Sequence, residues 1–176
     1  MTTSKFLVCP DCQHANVPGS KKCEQCGETL DPDQSTRPKN ALEKQIVEDR
    51  ISALDPRTAV MVDATLPVRE ALKWLVSKGI GCLLIAQSGK VVGIFTERDA
   101  LQKINSDIEL HANKPVSTFM TSAPVTLKSR DRIAFALHRM DLGGYRHVPI
   151  LDENAAPKVI SIRDILRYMT ERMTNA

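Results

Sequence analysis

The sequence predicts a mixed α/β (α+β) chain, in which a small four-cysteine ribbon precedes two β-α-β-β-α repeats packed together as a pseudo-two-fold pair. Three observations predict it. Four of the five cysteines fall within the first 26 residues, in two close pairs. The rest of the chain matches itself at an offset of 65 positions without a gap: Val60 falls on Val125, Ala71-Leu72 on Ala136-Leu137, Gly79 on Gly144, and Arg98-Asp99 on Arg163-Asp164. Within each copy the apolar spacing alternates between strand and helix periods. One copy alone leaves its sheet and helices half covered, so the two copies pack on each other.

The elements follow in order. Residues 1–30 form the ribbon, and 31–39, polar and bearing Pro32 and Pro38, form a linker. Residues 40–55 read as a connecting helix: Asn40 and Glu43 make a capping box, Leu42, Ile46, Ile51 and Leu54 recur at helical spacing, and Asp55-Pro56 ends it. The first repeat spans 56–117 and the second 118–176. Each reads as a short strand (60–62; 125–127), a helix (68–78; 133–142), a strand (81–86; 147–151), a second strand (91–95; 159–162) and a second helix (97–104; 163–173). A tight hairpin is expected at Gln87-Ser88-Gly89-Lys90, and a looser turn from Asp152 to Pro157.

Composition narrows the function classes. A hydrophobic fraction of 42% supports a core, and a net charge of +3, spread along the chain, offers no dense basic block for nucleic acid. Apolar runs such as Cys82 to Ala86 are far shorter than the ~20 residues that cross a bilayer. The N-terminus lacks the apolar core of a secretory signal, so a cytoplasmic location with reduced thiols is the expectation.

Cys9-Pro10-Asp11-Cys12 and Cys23-Glu24-Gln25-Cys26 give the spacing C-x2-C-x10-C-x2-C. Two thiolates on each knuckle complete a tetrahedron, which makes Cys9, Cys12, Cys23 and Cys26 the metal ligands. Zinc is the expected ion, and iron suits four thiolates as well. With all four positions filled by protein the ion is structural and activates no water. Gly27 is read as making room for the second knuckle, and His14 as a neighbour of the site. The ribbon and linker carry Lys5, Lys21, Lys22 and Arg37 against Asp11, Glu24, Glu28, Asp31 and Asp33, a poor match for a phosphate backbone.

Across the repeat, Thr96-Glu97-Arg98-Asp99 matches Ser161-Ile162-Arg163-Asp164. Each sets a hydroxyl at a strand end and a carboxylate three residues on, in the first turn of a helix. That pattern suits a phosphate and two vicinal ribose hydroxyls, and it equally makes an N-cap with an acidic first turn. Arg98, Arg146 and Arg163 could pair with the aspartates or meet phosphate. Cys82 reads as a small buried side chain, Trp74 and Phe135 as packing residues, and His138 as a surface histidine.

At Gly93-Ile94-Phe95-Thr96-Glu97-Arg98-Asp99-Ala100-Leu101, and from Gly144 to Asp152, the chain resembles the cystathionine-β-synthase (CBS) domain family, whose tandem pairs form a Bateman module. The resemblance covers about residues 56 to 173, and the N-terminal part separately resembles zinc-ribbon segments. It implies clefts between the repeats that take AMP, ADP, ATP or S-adenosylmethionine, a homodimer, and regulation of an attached domain or partner protein. Carried over, one cleft uses Ser161 and Asp164 for phosphate and ribose, Val60 and Ile80-Gly81-Cys82 for adenine, and Arg146 with His147 near phosphate. The other uses Thr96 and Asp99, Val125 with Ser122, and Tyr145-Arg146-His147. Leu84 stands where the second repeat has Pro149, and Ser161 where the first has Thr96.

The leading functional reading is therefore an adenine-nucleotide-sensing regulator without a catalytic nucleophile–base pair. The alternative is a zinc-ribbon adaptor for nucleic acid or the transcription machinery, dimerised by the repeat pair.

Overall fold

Most apolar runs marked as strands or helices of the repeats are found as such, and each departure has a local cause. The computed structural model describes residues 7–9, 11–16, 21–30, 41–104 and 107–173. In chain order these form β1 (Leu7–Val8), β2 (Ala15–Asn16), α1 (Ala41–Glu48), a 3-10 turn (Ile51–Leu54), β3 (Arg57–Thr58), β4 (Met61–Asp63), α2 (Val68–Lys78), β5 (Cys82–Gln87) and β6 (Lys90–Thr96). There follow α3 (Glu97–Asp99), which widens into a π-turn (Ala100–Ile104), α4 (Ile108–His111), a second 3-10 turn (Val116–Thr118), β7 (Thr121–Ser122), α5 (Ile133–Gly143), β8 (His147–Ile150), β9 (Lys158–Ser161) and α6 (Ile162–Met173). The 31–39 linker and the Asn40 cap lie outside the described residues.

The first repeat's sheet runs β4-β5-β6-β7 and the second's runs β3-β9-β8, with β1-β2 a separate ribbon hairpin. β4 is parallel to β5, and the other pairings are antiparallel. The 65-residue offset survives in the register: Cys82 faces Thr96 as His147 faces Ser161, and Leu84 faces Ile94 as Pro149 faces Val159.

The expected strand over 125–127 shrinks to one parallel bridge between Leu127 and Ile150. Pro149 is the cause. In the first repeat the Leu84 N–H donates to Val60 O at 2.9 Å, and its counterpart Pro149 has no N–H to give Val125. The helix expected over 40–55 stops at Glu48, because the backbone there turns to pair with the second repeat. Ile51 N donates to Asp131 O (2.8 Å), Ser52 N to Ser129 O (3.0 Å) and Ile133 N to Asp49 O (2.9 Å). The helix expected over 97–104 opens at Ala100, and the wider turn lets Lys103 Nζ reach the carbonyls of Phe119 (2.8 Å) and Met120 (3.1 Å).

The two cores are exchanged between the repeats. Ile51 and Leu54, which precede the first repeat, are buried with Ile133, Ala136, Met140, Val148, Ile160, Ile165 and Tyr168 of the second. Val116 and Phe119, at the start of the second, are buried with Val68, Ala71, Leu75, Leu83, Ile85 and Phe95 of the first. The strands follow suit: β3 edges the second repeat's sheet and β7 the first's. Val116 and Phe119 lie 65 positions after Ile51 and Leu54, so the internal repeat begins earlier than residue 56.

Candidate functional site

The candidate metal site is built from two knuckles. Cys9 N donates to His14 O and Gln13 N to Cys9 O, while Cys23 N donates to Glu28 O and Gly27 N to Cys23 O, so each C-x2-C loop is closed by its own backbone. Gly27 suits its φ of +76° and is not there for space, since a Cβ meets nothing within 4 Å; the matching position of the first knuckle is Gln13, at φ +60°. The Sγ atoms of Cys9, Cys12, Cys23 and Cys26 lie within 4.8 Å of one another, with Cys9–Cys26 at 3.6 Å and Cys12–Cys23 at 3.4 Å. A tetrahedron with ~2.3 Å Zn–S bonds needs S···S separations of about 3.8 Å, so the four residues fit a zinc ion. His14 is not in this cluster.

The chemistry of the donors points the same way. Burial opposes the Cys23 thiolate, yet backbone N–H groups of Cys26 and Gln25 outweigh it and bring the thiol to about 6. Burial raises Cys12, and Cys26 is raised despite the Glu28 backbone, by burial and the neighbouring thiols. A divalent cation resolves that conflict by taking all four as thiolates. Asn16, fully buried, ties the knuckles together: its Nδ2 donates to His14 O (2.9 Å) and Cys23 Sγ (3.6 Å), and its Oδ1 accepts from Glu24 N (3.0 Å).

In the first repeat Thr96 and Asp99 form a complete capping box. Thr96 N (3.0 Å) and Oγ1 (2.6 Å) donate to Asp99 Oδ2, and Asp99 N donates back to Thr96 Oγ1 (3.2 Å). The other carboxylate oxygen accepts from Thr121 Oγ1 (3.0 Å) and pairs with Lys103 Nζ (2.7 Å). Burial pushes Asp99 up, but the Lys103 and Thr96 hydrogen bonds prevail and hold it below the usual carboxylate range. In the second repeat Ser161 N and Oγ, each at 2.7 Å, donate to Asp164 Oδ2, whereas Oδ1 accepts from Arg167 Nη2 alone, at 3.1 Å. The two aspartates are equally buried but differ in what is left to accept: among the described residues four donors meet Asp99 and three meet Asp164.

Asp164 also lines a cavity of about 280 Å³ with Ala53, Leu54, Asp55, Arg57, Arg167, Tyr168 and Glu171. Small-molecule sites begin at about 300 Å³. Of the residues the sequence nominated, Asp164 alone lines it. Around the strand ends Gly81 and His147 meet, since a Cβ on Gly81 would stand 2.5 Å from His147 Nε2. Burial lowers His147, and Glu97 and Asp164 partly offset it.

The remaining nominees are dispersed. The backbone oxygens of Gly81 and Arg146 accept from Glu97 N (3.2 Å) and Ile162 N (2.9 Å), the same bond in both repeats. Val60 and Ile80 pack on the first core. Cys82 is buried, which, with Glu97 nearby, pushes its thiol up to about 12, so it is inert. Ser122, Val125 and Arg163 are exposed, and Arg98 donates to the Gly144 carbonyl across the two repeats. Tyr145 sits beside Arg139 and Asp11, on the ribbon side. Sequence reasoning missed Lys103, Arg167, Arg57, Tyr168 and Thr121. Lys103 and Arg167 stand four and three residues after their aspartates, a helical spacing that signals pairing.

Two sheets of equivalent register, each packed with its own helices, define a tandem α/β repeat. The CBS domain model matches residues 47–106 and 116–171, so the chain belongs to the CBS domain family as a tandem pair. It is 30% identical over 131 residues to the CBS domain-containing protein CBSCBSPB1 of Arabidopsis thaliana, a match covering 73% of this chain and 24% of that protein. A 17.7 kDa protein of Acidianus ambivalens is 30% identical over 125 residues, which cover 69% of this chain and 74% of the relative. Among solved structures, a CBS-domain-containing protein of Agrobacterium tumefaciens has a TM-score of 0.61 at 30% identity, covering 67% of this chain and 96% of its own. A CBS domain protein of Pyrobaculum aerophilum, complexed with AMP, has a TM-score of 0.60 at 25% identity, covering 73% and 100%. Among the described residues no helix is long and apolar enough to cross a membrane.

Proposed function

We propose that the chain is a regulatory adenine-nucleotide sensor, in which AMP, ADP, ATP or S-adenosylmethionine binds beside Asp164 and modulates the ribbon or a partner protein. The observation that carries this reading is the Asp164 carboxylate, which keeps an acceptor position on the wall of a 280 Å³ cavity. A carboxylate so placed accepts from ribose hydroxyls, and Arg57 and Arg167 on the same wall supply charge for phosphate. The AMP complex of the Pyrobaculum relative supports the ligand class. Asp99, whose carboxylate meets one more donor than that of Asp164 among the described residues, is the weaker of the two sites. Zinc in the ribbon is structural, and a cytoplasmic, homodimeric, non-enzymatic regulator is the form this reading takes. Val60, Ile80, Gly81, Cys82, Arg146, His147 and Ser161, expected in the same cleft, do not line this cavity.

The test is isothermal titration of the four ligands into the zinc-loaded protein. The expected result is one ligand binding once per chain, at micromolar affinity, about −8 kcal/mol, abolished by Asp164→Ala and retained in Asp99→Ala. Binding lost in Asp99→Ala and kept in Asp164→Ala moves the site to the first repeat. No binding of any of the four overturns the sensor reading and leaves the pair a scaffold for the ribbon.

A further inference from the structure

Asp11 is where the metal knuckle meets the repeats. It lies between Cys9 and Cys12, and its N–H donates to Cys9 Sγ at 3.4 Å. Its side chain is 4% exposed, and Oδ2 accepts from Arg139 Nη2 at 2.9 Å. The other oxygen, Oδ1, is buried without a protein hydrogen bond, as is Arg139 Nε. Arg139 stands on α5 with its guanidinium 5.1 Å above the Phe135 ring. A second contact runs parallel to the first: Glu28, two residues past Cys26, places Oε2 3.8 Å from His138 Nε2 of the same helix. On its other face α5 contributes Ile133, Ala136 and Met140 to the core shared with Ile165 and Tyr168 of α6.

We propose that metal binding in the ribbon clamps helix α5 of the second repeat through the Asp11–Arg139 pair, so that metal loading and the order of α5 are linked. A segment of about 30 residues has too small a core to hold its shape without a staple, and the metal is that staple. Asp11 keeps its direction only while Cys9 and Cys12 converge on the ion. When they part, the carboxylate leaves Arg139, and a partly desolvated guanidinium loses its counter-charge. Linkage makes the effect reciprocal: α5 tightens metal binding by the factor with which metal stabilises the docked helix. The inference is independent of whether a nucleotide binds.

The test is amide hydrogen exchange of the full chain, zinc-loaded and chelator-stripped, for the wild type and Arg139→Met, with zinc affinity measured by chelator competition. Stripping zinc is expected to speed exchange along α5 by about fivefold or more. Arg139→Met is expected to exchange at the stripped rate even with zinc bound, and to bind zinc about fivefold more weakly. Its cobalt-loaded spectrum stays that of a tetrahedral tetrathiolate, showing an intact site. Wild-type α5 exchanging alike with and without zinc overturns the proposal, as does an Arg139→Met protein with unchanged affinity and protection. Should Arg139→Met fail to fold, Asp11→Asn removes the opposite charge of the same pair from the ribbon side and carries the same expectations.

Discussion

Replacing Ile51 by alanine perturbs a residue that precedes the first repeat in sequence and belongs to the second in space. Ile51 is fully buried among Ile133, Met140, Ile165 and Tyr168. Truncating such a side chain removes its transfer free energy and leaves a cavity, a loss of about 2–5 kcal/mol. For a chain of this length roughly 3 kcal/mol lowers the melting temperature by about 6–12 °C. Urea unfolding followed by circular dichroism gives the total, and native-state hydrogen exchange locates it. The expected pattern is faster exchange in β8, β9 and α6 with β5 and β6 little changed. Val116→Ala, its counterpart 65 positions on, is expected to cost about 2 kcal/mol and to give the opposite pattern, since Val116 is buried in the first core. A loss below about 1 kcal/mol for Ile51→Ala, or a loss confined to the first repeat, would refute the exchange of cores.

The remaining expectations concern the site. Burial holds His147 below the ordinary histidine value, so the folded state binds its proton more weakly than the unfolded chain. Its contribution to stability is therefore present above that ordinary value and is lost as the pH falls through it; the urea midpoint should drop between about pH 7.5 and 5.5, and drop less in His147→Asn. Lys103→Met removes a hydrogen bond and a charge that hold Asp99 down against its burial. The Asp99 carboxyl should then titrate higher by carboxyl-carbon NMR, and an unchanged titration would mean that Thr96 and Thr121 suffice alone.

The repeat, the strands β4, β5, β6, β8 and β9 and the helices α2 and α5 were legible because their apolar periodicity and the 65-residue offset are local properties of the sequence. The offset even foresaw the equivalent registers of Cys82 with Thr96 and His147 with Ser161. The knuckles were legible for the same reason, since paired cysteines declare their own geometry. The exchange of cores was not. Ile51 and Leu54 are apolar at helical spacing whichever body they pack on, and only tertiary contact decides that. Likewise Thr96 and Ser161 announced both a cap and a phosphate site, and the structure closes the full capping box at Thr96, has Ser161 donate to Asp164, and sets Asp164 on a cavity wall. The role of His138, read as an ordinary surface histidine, depended on where the ribbon lands.

Each repeat carries at its N-terminal edge a short apolar segment that fits only the other repeat. A lone repeat would thus expose Ile51 and Leu54, or Val116 and Phe119, while lacking the pair that fills its own interior. Two separate copies could satisfy one another only by meeting, a bimolecular event that dilution reverses. Joining them in a single polypeptide turns that encounter into a unimolecular closure, governed by the tether and independent of how much protein is present. The duplicated half is in this sense half of a dimer, and the covalent link is what makes its assembly permanent.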